Sequence, residues 1–251
     1  MRVATKDTCA IAVMAKASIP GLTKTRLAPP LTADEAAALN TAFLRDIADK
    51  LLAAGATSNV FGYMAYAPAG SQSFFQKTMP PGIGLIETVR PSLGLCLLHA
   101  LSEMLGKGYG AACVLNSDSP TLPVSYLTTA ATILAAPGDR AVIGPSTDGG
   151  YYLLGVKTAH ARLFEDIAWS TERVFAQTLE RAREIGLEVA VLPDWYDVDD
   201  GPSLNLLASE LIAGKPFRRV GGSDSSPAHT RACLTDMMAN ADLQARLGMP
   251  R

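Results

Sequence analysis

The chain has 251 residues, long enough for one large α/β domain or two small ones with a substantial buried core. Hydrophobic residues make up 48%, charged residues 18%, and the formal net charge is −2. This is globular composition; it excludes wholesale disorder and offers no concentrated basic face for nucleic acid or a membrane surface. Four scattered cysteines (Cys9, Cys96, Cys113, Cys233) form no CxxC pair, and with only three histidines no zinc cluster can be read. Free thiols in a reducing cytosol are expected. The N-terminus is charged, and no uncharged stretch reaches the roughly 18 residues that cross a bilayer, so a soluble cytoplasmic protein is expected.

In chain order, residues 9–15 (CAIAVMA) read as a buried strand. A loop at 16–30 follows, with Pro20, Gly21, Pro29 and Pro30. Thr32 opens a helix with Glu35 placed for a capping box, and Gly55 is expected to stop it. Residues 59–67 and 84–89 predict strands, 93–105 a helix ending at Gly106, and 111–115 (AACVL) a buried strand running into Asn116-Ser117-Asp118-Ser119-Pro120. Pro123 suits the first turn of another helix. Strands at 141–144 and 151–156 flank Pro145-Ser146-Thr147-Asp148-Gly149-Gly150. A helix at 171–185, a strand at 187–192 and a helix at 202–211 follow, then a glycine- and serine-rich linker at 215–226 and a helical segment at 227–247. Alternating strands and helices predict a mostly parallel sheet covered on both faces, with ligands beyond the carboxyl ends of its strands. The polar, glycine-rich segments fall at those ends.

Five segments carry candidate chemistry. The loop after the first strand holds Lys16, Gly21, Lys24, Thr25 and Arg26. Glycine admits backbone N–H groups to phosphate oxygens, and the cations neutralise charge that builds during transfer; the Walker A pattern is absent. Asp118, just past a buried strand, suits Mg²⁺, which takes few protein oxygens plus substrate phosphates; the lesser alternative is an Asx-turn or helix N-cap leading into Pro123. Asp148-Gly149-Gly150-Tyr151 is a site segment or a hairpin turn. Trp169-Ser170-Thr171 stands at an expected helix start, where free N–H groups hold an anion or Ser170 simply caps. Within Asp197-Val198-Asp199-Asp200 an acid could complete a metal site with Asp118, or cap the helix at Pro202. His99, within an apolar helix, and His160 have no partners at ligand spacing.

Together these segments resemble the nucleotide-diphospho-sugar transferase superfamily, the GT-A fold. Within it they are most similar to a bacterial glycosyltransferase-like family related to 2-phospho-lactate guanylyltransferase. The resemblance rests on MAKASIPGLTKTRL (14–27), NSDSPTLP (116–123), GPSTDGGYYLLGV (144–156), DIAWSTERVFAQTL (166–179) and DVDD (197–200), covering residues 9–212 in order. It implies a GT-A, Rossmann-like transferase domain over 1–212, with 213–251 a linker and helical appendage. It also implies that Lys24 and Arg26 cradle nucleotide phosphates with Lys16 at the edge, and that Asp118 and Asp199 hold a metal, Mg²⁺ or Mn²⁺. Asp148 to Tyr151 and Trp169 to Thr171 would line the substrate cleft. Relatives commonly open the helix after the third strand with a polar GDLGERL-like segment; here Leu95 and Cys96 stand where acid and arginine are expected.

The leading expectation is nucleotidyl transfer from a nucleoside triphosphate to a small phosphorylated acceptor, since several cations share one loop and Ser117-Asp118-Ser119 lacks an adjacent DxD pair. Glycosyl transfer from a nucleotide-sugar is the alternative, and a nucleotide-binding regulator with a decayed site is the third. The expected partners are thus a nucleotide or nucleotide-sugar and a small acceptor. The C-terminal helix could pack on its own domain or on a second subunit of a homodimer.

Overall fold

The structure, a computed structural model, describes residues 4–218 and 226–239 together with Leu243 and Arg246. The strands are β1 (Cys9–Lys16), β2 (Val60–Ala67), β3 (Gly84–Glu87), β4 (Ala111–Leu115), β5 (Arg140–Pro145), β6 (Tyr151–Val156) and β7 (Glu188–Val191). The helices are α1 (Ala33–Thr57), α2 (Gln72–Thr78), α3 (Leu93–Gly106), α4 (Val124–Ala135), α5 (Val174–Glu184), α6 (Gly201–Leu211) and α7 (Ala228–Ala239). One seven-stranded sheet has the order β3-β2-β1-β4-β6-β5-β7, and only β6 runs against the others. The α/β, mostly parallel, doubly covered architecture expected from the sequence is therefore the fold.

Strand alternation sorts the core into two halves. From β1, Cys9, Ile11 and Val13 join one apolar cluster with residues of α1, α4 and α6, while Ala10 and Ala12 face a second cluster with α3 and Phe164. The small alanines leave room for α3 to approach the sheet. The chain runs outward from β1 through β2 to β3, then crosses back to place β4 on the other side of β1. That reversal opens a crevice beyond the carboxyl ends of β1 and β4.

Several boundaries differ from expectation, each for a local reason. The capping box at Thr32 and Glu35 is present, but α1 continues through Gly55 to Thr57. Gly55 is not among the glycines in the left-handed region, so nothing in its conformation turns the chain. A glycine inside a long packed helix costs only about 1 kcal/mol. Pro123 is the N-cap of α4, one residue before its first turn. The short α2, which the sequence pattern did not reveal, is anchored by buried Phe75 against Tyr66.

At its other end the molecule is tied through α7, which lies on α1. Asp46 of α1, only 3% exposed, accepts hydrogen bonds from the backbone N–H groups of His229 (2.9 Å) and Thr230 (2.7 Å). It thus satisfies donors that a helix N-terminus leaves open. The expected linker lies, over 219–225, outside the described residues.

Candidate active site

The crevice is a cleft of about 610 Å³ lined from the loops after β1, β4, β5 and β7, from the first turns of α3 and from the segment before α5. Three cations of the first loop reach it: Lys16 at the end of β1, and Lys24 and Arg26 around a short 3-10 turn at Thr25–Leu27. Lys16 and Arg26 are exposed. Lys24 is not: its side chain is 7% exposed. Its Nζ lies 2.6 Å from Asp118 Oδ1 and 3.1 Å from Asp199 Oδ1, and donates to the Val198 carbonyl at 2.6 Å. Burial alone would lower the Lys24 pKa, but the two carboxylates outweigh it and hold the ammonium above the ordinary lysine value. The loop reaches this geometry with Lys24 in the left-handed region at φ 53°, a conformation uncommon for a residue with a Cβ.

The acids come from two separate strand ends. Asp118 follows β4, and its backbone carbonyl accepts the Val198 N–H at 2.8 Å, which pins the 197–200 segment beside it. In that segment Tyr196 and Val198 turn into the core while Asp197 and Asp199 line the cleft. The cap alternative expected here is realised by Asp200 instead, which caps α6 and accepts from Ser203 N at 2.9 Å. Asp197, not singled out from the sequence, is the most perturbed acid of the cleft. Burial, then the charges of Asp148, Asp199 and Asp118, push its pKa up to about 7. Its alternation with buried neighbours was the available signal.

The segment Pro145–Gly150 joins antiparallel neighbours, so it is a hairpin connection, as the bland reading of the sequence allowed. It nevertheless delivers Asp148, Gly150 and Tyr151 to the cleft. Asp148 Oδ1 accepts Gly150 N–H at 2.8 Å. Gly149 (φ 91°) does not line the cleft; it sits against the start of α5, where a Cβ would lie 2.2 Å from the Glu172 carbonyl oxygen. Gly21 (φ 75°) likewise does not line the cleft and serves the turn of the loop.

Trp169, Ser170 and Thr171 line the cleft, but not at a helix start. Helix α5 begins at Val174, its N-cap position is Arg173, and Ser170 holds φ 63°. A left-handed residue cannot begin a helix, and Thr171 Oγ1 donates back to the Ala168 carbonyl at 2.7 Å. The anion site expected from free helical N–H groups at 169–171 is therefore not formed. Among the described residues, three buried polar atoms on residues of the cleft lack a hydrogen-bond partner: Asn116 Oδ1, Ser146 Oγ and Tyr151 OH.

For a divalent cation the donors are chemically apt. Asp118 and Asp199 offer hard carboxylate oxygens that already converge on one positive charge, with Asp148 and Asp197 adding negative potential. Outside the cleft, among the described residues, Asp46, Asp49 and His229 also bring three potential ligand atoms within 4.8 Å. There Asp46 is engaged by the α7 backbone and Asp49 by the His229 ring, so the cluster is accounted for as a helix cap. Among the described residues, no helix is long and apolar enough to cross a membrane.

The chain belongs to the family DUF2064, described as "uncharacterized protein conserved in bacteria", whose profile matches residues 38–171. Asp118 and Asp148 fall inside that span, Lys24 and Asp199 outside it. No curated protein matches the chain. Among solved structures, a protein from Desulfovibrio desulfuricans G20, described provisionally as a nucleotide-diphospho-sugar transferase, is 29% identical with TM-score 0.80, covering 96% of this chain and 98% of its own. A cytidylyltransferase from Leptospira borgpetersenii serovar Hardjo-bovis is 12% identical with TM-score 0.51, over 94% and 96% of the two chains. A CMP:2-keto-3-deoxy-manno-octonic acid synthetase complexed with CTP is 12% identical with TM-score 0.52, over 83% and 100%. The last two share the fold alone. Over nearly its whole length the chain is thus similar to a protein described as a nucleotide-diphospho-sugar transferase, and it shares its fold with nucleotidyltransferases, in line with the resemblance in the sequence.

Proposed function

We propose that this DUF2064 protein is a nucleotidyltransferase that joins a nucleoside monophosphate, taken from a nucleoside triphosphate, to a small phosphorylated acceptor. The observation that carries the reading is the meeting of a three-cation loop after β1 with carboxylates from β4 and from the segment after β7, at the sheet's reversal point. An acceptor phosphate oxygen attacks the α-phosphorus, a new P–O bond forms, the bond to the bridging oxygen breaks, and pyrophosphate leaves. Lys16 and Arg26, exposed on the cleft, neutralise the phosphates and the charge that grows on the leaving group. Lys24 keeps Asp118 and Asp199 aimed at a common point before substrate arrives. Those two acids would hold Mg²⁺ or Mn²⁺, which when bound polarises phosphoryl oxygens as a Lewis acid. Gly150 and Tyr151 shape the floor beneath the substrate, and Trp169, Ser170 and Thr171 its far wall.

Glycosyl transfer from a nucleotide-sugar is the second reading, favoured by the description of the Desulfovibrio relative. Purified protein offered each nucleoside triphosphate and each common nucleotide-sugar, with Mg²⁺ or Mn²⁺, separates the two by thermal shift. Stabilisation by triphosphates alone supports nucleotidyl transfer; stabilisation by nucleotide-sugars alone overturns it in favour of the second reading. Asp118→Asn should abolish the metal-dependent part of nucleotide binding, and unchanged binding would remove Asp118 from the site.

A further inference from the structure

Beside its charged groups the cleft has an apolar lining, Leu93 and Leu97 of α3, Met14 of β1 and Trp169. Solvent-facing apolar side chains concentrate at the same place. Of the eight large apolar residues exposed among the described residues, Ile19, Leu22, Val89, Leu93 and Leu95 belong to the two segments that lead into the cleft. Leu22 is 70% exposed and stands two residues before Lys24, while Leu93 and Leu95 are each 47% exposed. Leaving several leucines in water has a free-energy cost that scattered surface leucines do not explain, and such patches mark binding surfaces. The position is also unusual for apolar residues: the first turn of a helix favours acids or polar side chains. Gly94 makes the wall continuous. A Cβ there would come within 2.9 Å of the Trp169 ring and 3.0 Å of the Phe164 carbonyl oxygen, so the bare backbone of α3 closes directly on the indole.

We propose that this wall binds an alkyl or aryl group of the acceptor, so that the molecule receiving the transferred group is amphiphilic. Its anionic end meets the exposed Arg26, and its apolar body lies along Leu22, Leu93, Leu97 and Trp169. The anionic end rests on the transferase reading of the same cleft; the apolar end rests on the wall itself. Leu22 and the exposed Arg26 share one loop, so a single short ligand can meet both a cation and apolar surface. A polyol acceptor would leave the leucines in water and would find no hydrogen-bonding side chain on Leu93, Leu97 or Met14 to replace its lost hydration.

The test uses a series of alkyl phosphates from methyl to hexyl, with phenyl phosphate, titrated calorimetrically into the full-length protein with Mg²⁺; nucleoside triphosphates are titrated separately. Affinity should rise about threefold to fourfold per added methylene over the first several carbons, the ratio expected for burying each group. Leu93→Asn and Leu22→Ser replace exposed side chains and should flatten the series at an unchanged melting temperature. A flat series in wild-type protein that binds nucleotide overturns the apolar subsite and leaves the transferase reading standing. A chain-length slope without any nucleotide binding supports the subsite and overturns the transferase reading. A slope that survives both substitutions puts the apolar binding elsewhere and overturns the proposal.

Discussion

Replacing Lys24 by methionine removes one positive charge from a point where two carboxylates converge, at 2.6 and 3.1 Å. With an effective dielectric of about 20, each contact is worth roughly 5–6 kcal/mol in gross Coulomb energy, and the cost of desolvating a buried ammonium offsets several kcal/mol of that total. Removing one member of a buried pair typically costs about 3–5 kcal/mol. Asp118 and Asp199 keep side-chain exposures of 28% and 42%, so water screens part of the loss. The expected destabilisation is thus about 2–3 kcal/mol, or a fall of roughly 4–12 °C in Tm for a chain of this size. Urea denaturation at pH 7.5 in EDTA measures it. Adding Mg²⁺ should restore most of the loss, because a dication supplies the missing charge, and should stabilise the variant more than the wild-type protein. A loss under about 0.5 kcal/mol, or equal Mg²⁺ stabilisation of both proteins, would refute the view that Lys24 and a metal serve the same two acids.

Asp197 predicts a pH effect of opposite sense to an ordinary ion pair. Its pKa is raised from 3.8 to about 7, so the folded state binds the proton more tightly, and stability falls as pH rises through that window. Asp197→Asn should therefore be more stable than wild type at pH 8, by at most about 4 kcal/mol, with the gap closing near pH 4; denaturation curves in EDTA at three pH values decide it, and a gap that widens on acidification would contradict the assignment. Tyr151→Phe deletes a buried hydroxyl without a partner and should cost no stability, with a gain of up to about 1 kcal/mol. A marked loss in its melting temperature would mean the hydroxyl is bonded in solution. Asp46→Ala leaves the first N–H groups of α7 without their acceptor and should lower stability by about 2 kcal/mol; a neutral result would show that water replaces the carboxylate there.

What could be read in advance was set by local patterns. The apolar runs of β1 and β4 and the Thr32–Glu35 box each carry a signal within a few residues, and their placements agree closely with the structure. The segments of β5 and β6 were legible, but not that β6 runs against its neighbours, because pairing direction depends on the crossing of the chain rather than on composition. The same limit applies to the site. Lys24, Asp118 and Asp199 could each be nominated from their loops, yet their contact spans up to 175 positions and inverts the simplest role for Lys24, which faces acids here rather than open solvent. Residues 169–171 misled because polar residues before a helix look like a cap, and nothing local shows that Ser170 adopts a left-handed turn.

The tie between Asp46 and α7 has a consequence for how the chain matures on the ribosome. Asp46 belongs to the first helix made, but the N–H groups that satisfy it belong to residues translated more than 180 positions later. At synthesis rates of about 5–20 residues per second, the face of α1 that α7 covers waits roughly 10–40 seconds for its partner. During that interval a nascent chain shows a partly apolar helix face with the Asp46 carboxylate open to water. Emergence of the segment that carries α7, rather than of the strands, is then the event that covers this face of α1.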